Sequence, residues 1–319
     1  MLHLVRLGFL CGMLFVSNLQ AAQTFWLSDI APTKEEAKKM RPSMGGMVIR
    51  SKRGFTKKLW LRKGDNIVNS TYVDKSNIPL VLITPEAPPT EIAFENKEYA
   101  DVTFKMPDEG FYNLFMTVKQ IDNGVLLESI IKNESLKHTC RSGHDHTEGK
   151  MPPLYFEGTS FDIVRKRVPR ETFHSRMTSG DVVSYEVLLH GEAVIGADVT
   201  MVTQKGWSKT IKTNQNGMVH FEMIRDYYPP WHEFKKRNME TFLIIAEYDS
   251  AETGVYQEDS YDSIHYKGTI SGNYYPSTRD YKSNLYGLLI GLFGLTVSIL
   301  LIYFYRRRHS KLYKENRLG

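Results

Sequence analysis

Residues 138–146 read His138-Thr139-Cys140-Arg141-Ser142-Gly143-His144-Asp145-His146, which places three imidazoles, one thiol and one carboxylate within nine positions. Imidazole nitrogen and thiolate sulfur are the donors favoured by nickel, cobalt, copper and zinc, and Gly143 lets the chain turn so that both ends can reach one ion. His138, Cys140, His144 and His146 are therefore the candidate metal ligands. Two readings stay open, a transition-metal site and a polar loop of solvated histidines, because the spacing follows no zinc-finger pattern. Arg141 inside the cluster would repel a cation.

Other donors are scattered. Met40, Met44 and Met47 could offer thioethers to Cu(I), though methionines so spaced also fill gaps in cores. His220 should face outward between Val219 and Phe221, whereas His190 precedes Gly191 in a turn and His232 sits beside Trp231. No nucleophile elbow, phosphate-binding glycine loop or metalloprotease pair occurs between the two ends, so an enzyme is not expected. The basic stretch Arg50, Lys52, Arg53, Lys57, Lys58, Arg62 and Lys63 could meet anionic lipid headgroups or form a solvated hairpin face. Asn69-Ser70-Thr71 and Asn133-Glu134-Ser135 match a glycosylation tripeptide that chance often produces.

The elements that would position these residues are short strands. From about residue 45 the chain alternates apolar and polar residues between turn signals, as in Val183, Tyr185 and Val187, in Ala197, Val199 and Met201, and in Val219, Phe221 and Met223. Asp122-Asn123-Gly124 is the clearest hairpin turn, since Asn-Gly tolerates two positive φ angles. Helical periodicity before the C-terminal region is confined to residues 32–41. The fold class is all-β, with two Ig-like sandwiches at 23–137 and 155–250, separated by the linker loop 138–154. Residues 251–283 read as an acidic, Tyr-rich stalk, because residues 247–262 carry six carboxylates and no Lys or Arg.

The two ends give a topology. Residues 1–22 combine Arg6, an apolar run and the small pair Ala21-Ala22, which is the pattern of a signal peptide. Its loss would remove Cys11, one of the two cysteines, and leave Cys140 without a disulfide partner. Residues 284–305 carry no charge and span about 30 Å as a helix, enough to cross a bilayer. Arg306, Arg307, Arg308, Lys311, Lys314 and Arg317 follow in the tail 306–319, which the positive-inside rule keeps cytoplasmic. The expected product is a single-pass protein with its ectodomain outside the membrane, and Gly287 with Gly291 could bring two such helices together as a homodimer. The net charge of +5 comes largely from that tail, so it does not point to nucleic acid.

Three runs add a resemblance: Phe156-Glu157-Gly158-Thr159-Ser160-Phe161-Asp162-Ile163-Val164, Thr178-Ser179-Gly180-Asp181-Val182-Val183-Ser184-Tyr185-Glu186-Val187-Leu188, and His190-Gly191-Glu192-Ala193-Val194-Ile195-Gly196-Ala197-Asp198-Val199. Together with the turn at 213–217 and Phe25-Trp26-Leu27, they resemble the NikM-like periplasmic domains encoded beside nickel and cobalt uptake transporters. The resemblance implies a carboxypeptidase-regulatory-like sandwich, a bound nickel or cobalt ion, and transporter components of a bacterial inner membrane as partners, with copper or zinc as other ions. The family often has a His directly after its signal peptide, where Gln23 and Thr24 stand here. A structural or adhesive surface protein that binds another protein without metal is the alternative.

Overall fold

The computed structural model describes residues 23–43, 45–52, 54–139, 155–167, 171–226 and 239–309. The protein is mostly β, and its sheets stack as sandwiches. In a six-stranded sheet, β4 (Gly54–Lys63) pairs with β1 (Phe25–Ser28), β3 (Gly46–Ser51), β5 (Thr71–Tyr72) and β8 (Asp101–Met106), and β2 (Met40–Ser43) lies outside β3. An eight-stranded sheet runs in the order β15 (Ser208–Lys212), β14 (Asp198–Thr203), β17 (Glu240–Ser250), β20 (Ser263–Tyr274), β10 (Val125–Lys137), β9 (Gly110–Asp122), β6 (Leu80–Ile83) and β7 (Thr90–Ile92). In a four-stranded sheet, β12 (Val182–Leu189) pairs with β11 (Phe161–Lys166), β13 (Glu192–Ala193) and β16 (Met218–Glu222). The hairpin β18 (Gly254–Tyr256) and β19 (Asp259–Tyr261) stands apart. A short helix α1 (Lys34–Lys39) starts at Thr33, whose hydroxyl accepts from the Glu36 amide.

The eight-stranded sheet is a shared middle layer. One of its faces contributes Phe115, Ile130, Met201, Phe242, Ile244 and Ile270 to a core closed by Phe161, Ile163, Val187 and Phe221 of the four-stranded sheet. The opposite face contributes Leu82, Leu114, Met116 and Ile131 to a second core closed by Leu27, Val48, Leu59 and Leu61 of the six-stranded sheet. Two sandwich interfaces thus form, but they share strands. The joint between the halves is β10 with β20, a parallel pair running from Val125 opposite Ser263 to Asn133 opposite Ser271. Strands from before and after the 138–154 loop therefore belong to one sheet, and β17 of the second half takes β20 as partner along eleven residue pairs.

Residues 251–283 do not form the acidic stalk that their composition suggests. Residues 254–261 form the β18–β19 hairpin, and residues 263–274 form β20, among the central strands of the molecule. Ile264, Tyr266, Ile270 and Tyr274 point to one core, while the buried Lys267, Thr269 and Ser271 and the half-buried Asn273 point toward β1. Their polarity is absorbed by pairing. Thr269 Oγ1 donates to the Phe25 carbonyl at 2.7 Å, Ser271 Oγ donates to the Leu27 carbonyl, and Asn273 Nδ2 donates to Asp29 Oδ2 at 3.0 Å. A polar strand face costs little when each group finds a partner.

The last helix, α2 (Thr278–His309), is long and apolar enough to cross a membrane over Leu285–His309, with a mean hydropathy of 2.4, and its apolar window is not buried among the described residues. It leaves the fold without slack. Tyr275 donates its amide to the Met177 carbonyl and its hydroxyl to the Ser43 carbonyl, and the Ser277 amide donates to Ser179 Oγ. About 10 Å of helix separates Thr278 from the apolar span at 1.5 Å per residue. The β18–β19 hairpin and the Asn123-Gly124 turn lie at the other end of β20, because β20 runs from the hairpin toward α2. Asn123 and Gly124 have φ of 51° and 79°, as the turn reading required.

Candidate functional site

His138 extends β10 at the end from which α2 departs. Counting back along the hairpin from Asp122 opposite Val125 to Gly110 opposite Lys137 brings Glu109 opposite His138. Glu109 Oε2 lies 3.0 Å from His138 Nδ1, and the same carboxylate accepts from the Thr139 amide at 3.0 and 2.9 Å. The imidazole is buried, stacked on Phe173 at 5.4 Å and edge-on to His174 at 4.5 Å between centroids. Cys140, His144 and His146 lie outside the described residues. Among the described residues, no three His, Cys, Asp or Glu side chains converge as ligands for one metal. A carboxylate behind an imidazole can orient a metal ligand, and it also completes a buried histidine that needs no ion.

The other candidate donors separate. Met40 is a core residue under β3, and Met47 is half-buried, while Met44 and His232 lie outside the described residues. His220 faces outward as its strand alternation requires, with Nδ1 2.7 Å from Ser184 Oγ. His190 has a φ of 50° in its turn, and its Nε2 is 3.7 Å from Glu252. The basic stretch divides: Arg50 and Lys52 are exposed, Lys58 and Lys63 are half-buried, and Lys57 and Arg62 are interior, while Arg53 lies outside the described residues. Lys57 is buried against Asp29 at 3.0 Å, Lys58 bridges Glu36 and Asp101, and Arg62 lies between the rings of Trp26 and Tyr72 at 4.9 and 4.7 Å. Tryptophan and tyrosine faces offset the loss of water by attracting the guanidinium.

A cavity of about 340 Å³ opens at the same end, with walls from all three sheets. Asp29 and Lys57 come from the six-stranded side, Glu134, Phe242 and Ile270 to Asn273 from the middle sheet, and Arg165, Val183 and Tyr185 from the four-stranded sheet. Its cations are committed to protein partners. Lys57 Nζ donates to Asp29 Oδ2 at 3.0 Å and to the Gly45 carbonyl at 3.2 Å. Arg165 donates through Nε to Glu134 and through both terminal nitrogens to Glu171, each at 2.9 Å. Burial alone would lower the Arg165 pKa, but these two carboxylates outweigh it and the guanidinium stays charged. One acceptor is left over: Glu134 Oε2 is buried with no hydrogen-bond partner. Burial pushes the Tyr185 phenol far up, so it is a neutral O–H.

A carboxyl pair stands near this end of β17. Glu240 Oε2 accepts from Tyr274 Oη at 2.9 Å, and Asp226 accepts from Thr203 Oγ1 and lies 3.5 Å from the same phenol. Burial and the nearby Asp226 charge push Glu240 up to about 7, against the Tyr274 hydrogen bond.

No family model matches the chain, and no curated protein matches it. Solved structures of two adhesins align weakly. One is of a 1.5-MDa bacterial ice-binding adhesin, examined for its retention at the host cell surface, with 14% identity, 71% of this chain, 59% of that chain and a TM-score of 0.21. The other is of a Ca²⁺-stabilized adhesin with which an Antarctic bacterium binds ice, with 9% identity, 80% of this chain, 49% of that chain and a TM-score of 0.20. The chain thus spans about half to three-fifths of the chains it aligns with. Likenesses of this size carry no argument about function.

Proposed function

We propose that this chain is a structural or adhesive surface protein, in which a β ectodomain tethered by one helix binds another protein without a metal ion. The supporting observation is the junction between β20 and α2. A strand from the middle layer continues into the helix through Tyr275, Pro276 and Ser277, of which Tyr275 and Ser277 are hydrogen-bonded to the sandwich, so the ectodomain is held in place over the point where the helix departs. The far end then presents the β18–β19 hairpin, where Val255 is 70% exposed among Glu252, Glu258 and Asp259. An exposed apolar side chain ringed by carboxylates suits a protein surface with complementary charge. On the charge rule, the Arg-rich end of α2 faces the cytoplasm and the sandwich faces outward from a bacterial inner membrane.

The metal reading remains the competing proposal. It takes the NikM-like resemblance as its guide and rests on His138, Cys140, His144 and His146, with uptake-transporter components as partners. One experiment separates the two. A photo-crosslinking residue at Val255 of the full chain in cells should give an adduct of defined mass that survives a membrane-permeant chelator. In parallel, purified full chain in nanodiscs should bind no Ni(II), Co(II), Cu or Zn tighter than about 100 μM, which corresponds to about 5.5 kcal/mol. One equivalent of tighter metal binding, abolished by joint Cys140→Ser, His144→Ala and His146→Ala, would replace this reading with the metal one.

A further inference from the structure

From a polar pocket at the end of the sandwich away from α2 we infer a binding site for a neutral saccharide, whose hydroxyl groups meet Thr117, Lys119, Tyr155, Glu157 and His190. The pocket lies where a core face turns polar. On β9 the face that sends Phe115 into the core continues to Thr117 and Lys119, and on β10 the face of Ile130 continues to Glu128. Lys119 and Glu128 stand opposite each other near the Asn123-Gly124 turn, with Lys119 Nζ 3.1 Å from Glu128 Oε2. Phe156 packs on Phe115 at 5.3 Å and so holds the stretch from Tyr155 to Ser160 over these strands. The Ser160 hydroxyl donates to Glu128 Oε1, and the His190 amide donates to the Ser160 carbonyl at 2.6 Å, which sets the β12–β13 turn alongside. His190 and Gly191 have φ of 50° and 85°, a turn in which Asn-Gly is the usual choice. An imidazole is thus kept on the pocket wall at a position that strains its backbone.

The lining excludes other ligand classes one by one. No Val, Leu, Ile, Met or Phe lines the pocket, so an apolar molecule finds nothing to pack on. An anion would meet the exposed Glu157 and also Glu252, which lies 3.7 Å from His190 Nε2, while the one lysine is already paired. A bare metal ion finds no three converging ligands among the described residues. What is left is a mixed set of donors and acceptors. The Thr117 and Tyr155 hydroxyls and the Glu157 carboxylate make no hydrogen bond to any described residue, and Lys119 bonds only to Glu128 and keeps two N–H groups. Thr159 spends its hydroxyl on the Phe156 carbonyl, and Gly158 adds backbone alone. A sugar hydroxyl both donates and accepts, so neighbouring hydroxyls on one ring can satisfy such a wall. The volume is about 480 Å³. Since a cavity of about 150 Å³ holds a benzene ring, there is room for about two sugar rings.

The test uses the full chain in phosphatidylcholine nanodiscs, with maltose, lactose, cellobiose and N,N′-diacetylchitobiose as probes in saturation-transfer NMR. At least one should bind with a Kd of about 1 mM or below, and the same sugar with a terminal CH₂OH oxidised to carboxylate should bind at least about tenfold more weakly, the effect of a charge facing Glu157. His190→Asn keeps a residue suited to the turn, and Tyr155→Phe removes one hydroxyl. Each should weaken binding about fivefold to tenfold without lowering the melting temperature, because neither group is hydrogen-bonded within the fold. The hexasaccharide of the best disaccharide separates two sources: tighter binding assigns the site to a polysaccharide, and binding no tighter assigns it to a short free sugar. Absence of binding by all four disaccharides overturns the site, as does equal binding of the oxidised sugar or an affinity that both variants leave unchanged. None of these outcomes depends on whether Val255 crosslinks to a protein.

Discussion

The apolar core between the middle and four-stranded sheets and the polar seam around β10 and β20 do the same mechanical work by opposite means. In the core, Val187, Met201, Phe221, Ile244 and Ala246 exclude water by packing alone. Along the seam, Lys132 is buried against Asp162 at 2.9 Å, Lys57 against Asp29, and Arg165 between Glu134 and Glu171. Burial of apolar area is non-directional and tolerates small changes of shape, whereas a buried charge depends on particular partners. The halves of the chain are therefore joined by contacts that specify their register, and each sandwich interface is filled by contacts that supply cohesion.

Breaking one partner of the seam should show the largest difference. Asp162→Ala leaves the Lys132 ammonium in a site it cannot leave, and should cost about 3–5 kcal/mol in denaturant unfolding of the detergent-solubilised chain. Replacing both, as Lys132→Met with Asp162→Leu, should recover most of that loss, because two apolar side chains satisfy each other where a single charge cannot. A cost below about 1 kcal/mol for Asp162→Ala would mean that water reaches the pair and that seam and core do not differ.

Gly46→Ala should come next, at about 1–3 kcal/mol. Gly46 has a φ of 97°, and an added Cβ would stand 2.3 Å from Asp29 Oδ2 and 2.6 Å from Asn273 Nδ2, so the substitution strains the backbone and disturbs the Asp29 cluster together. In the core, Ile244→Val should cost only about 1 kcal/mol, since one methylene is lost and its neighbours relax. Its effect should not vary between pH 5 and 8, which separates a packing defect from a charge defect.

The smallest expected effect is a slope. Glu240 is held near 7 in the folded chain against 4.5 for its ordinary value, so the folded state keeps a proton that the unfolded state releases. Its contribution is complete below about 4.5 and is lost as pH rises through about 7. The melting temperature should therefore fall modestly across that window in the native chain, and Glu240→Gln should flatten this component. An unchanged slope in the variant would assign the titration to another group.

The core half of this contrast was legible in the residues, and the seam half was not. Alternation at period two located β12, β14 and β16, and Asn123-Gly124 fixed the β9–β10 hairpin. The strand β20 is hard to read because Gly268 and Gly272 interrupt its apolar face, and because the carboxylates before it suggest a solvated stalk. Its polar face is buried against backbone carbonyls of β1 that lie 244 residues away in sequence, a partnership no local pattern encodes. The same distance effect buries Lys57 and Arg62 of the basic stretch. Glu109 beside His138 was within reach of counting along the hairpin register, whereas Phe173 and His174 come from a loop that only the tertiary fold brings there.

The central claim is that the sandwich is fixed to α2, the helix long and apolar enough to cross a membrane, with the acidic hairpin at the far end. A spin label at Val255→Cys, in a chain whose two native cysteines are replaced, can be placed relative to labelled lipid headgroups by pulsed electron spin distance measurement in nanodiscs. The twelve residues of β20 span on the order of 40 Å at about 3.3 Å per residue. A narrow distribution at on the order of that separation is the expected result. A broad distribution reaching down to the headgroups, as a flexible acidic stalk would give, would contradict it.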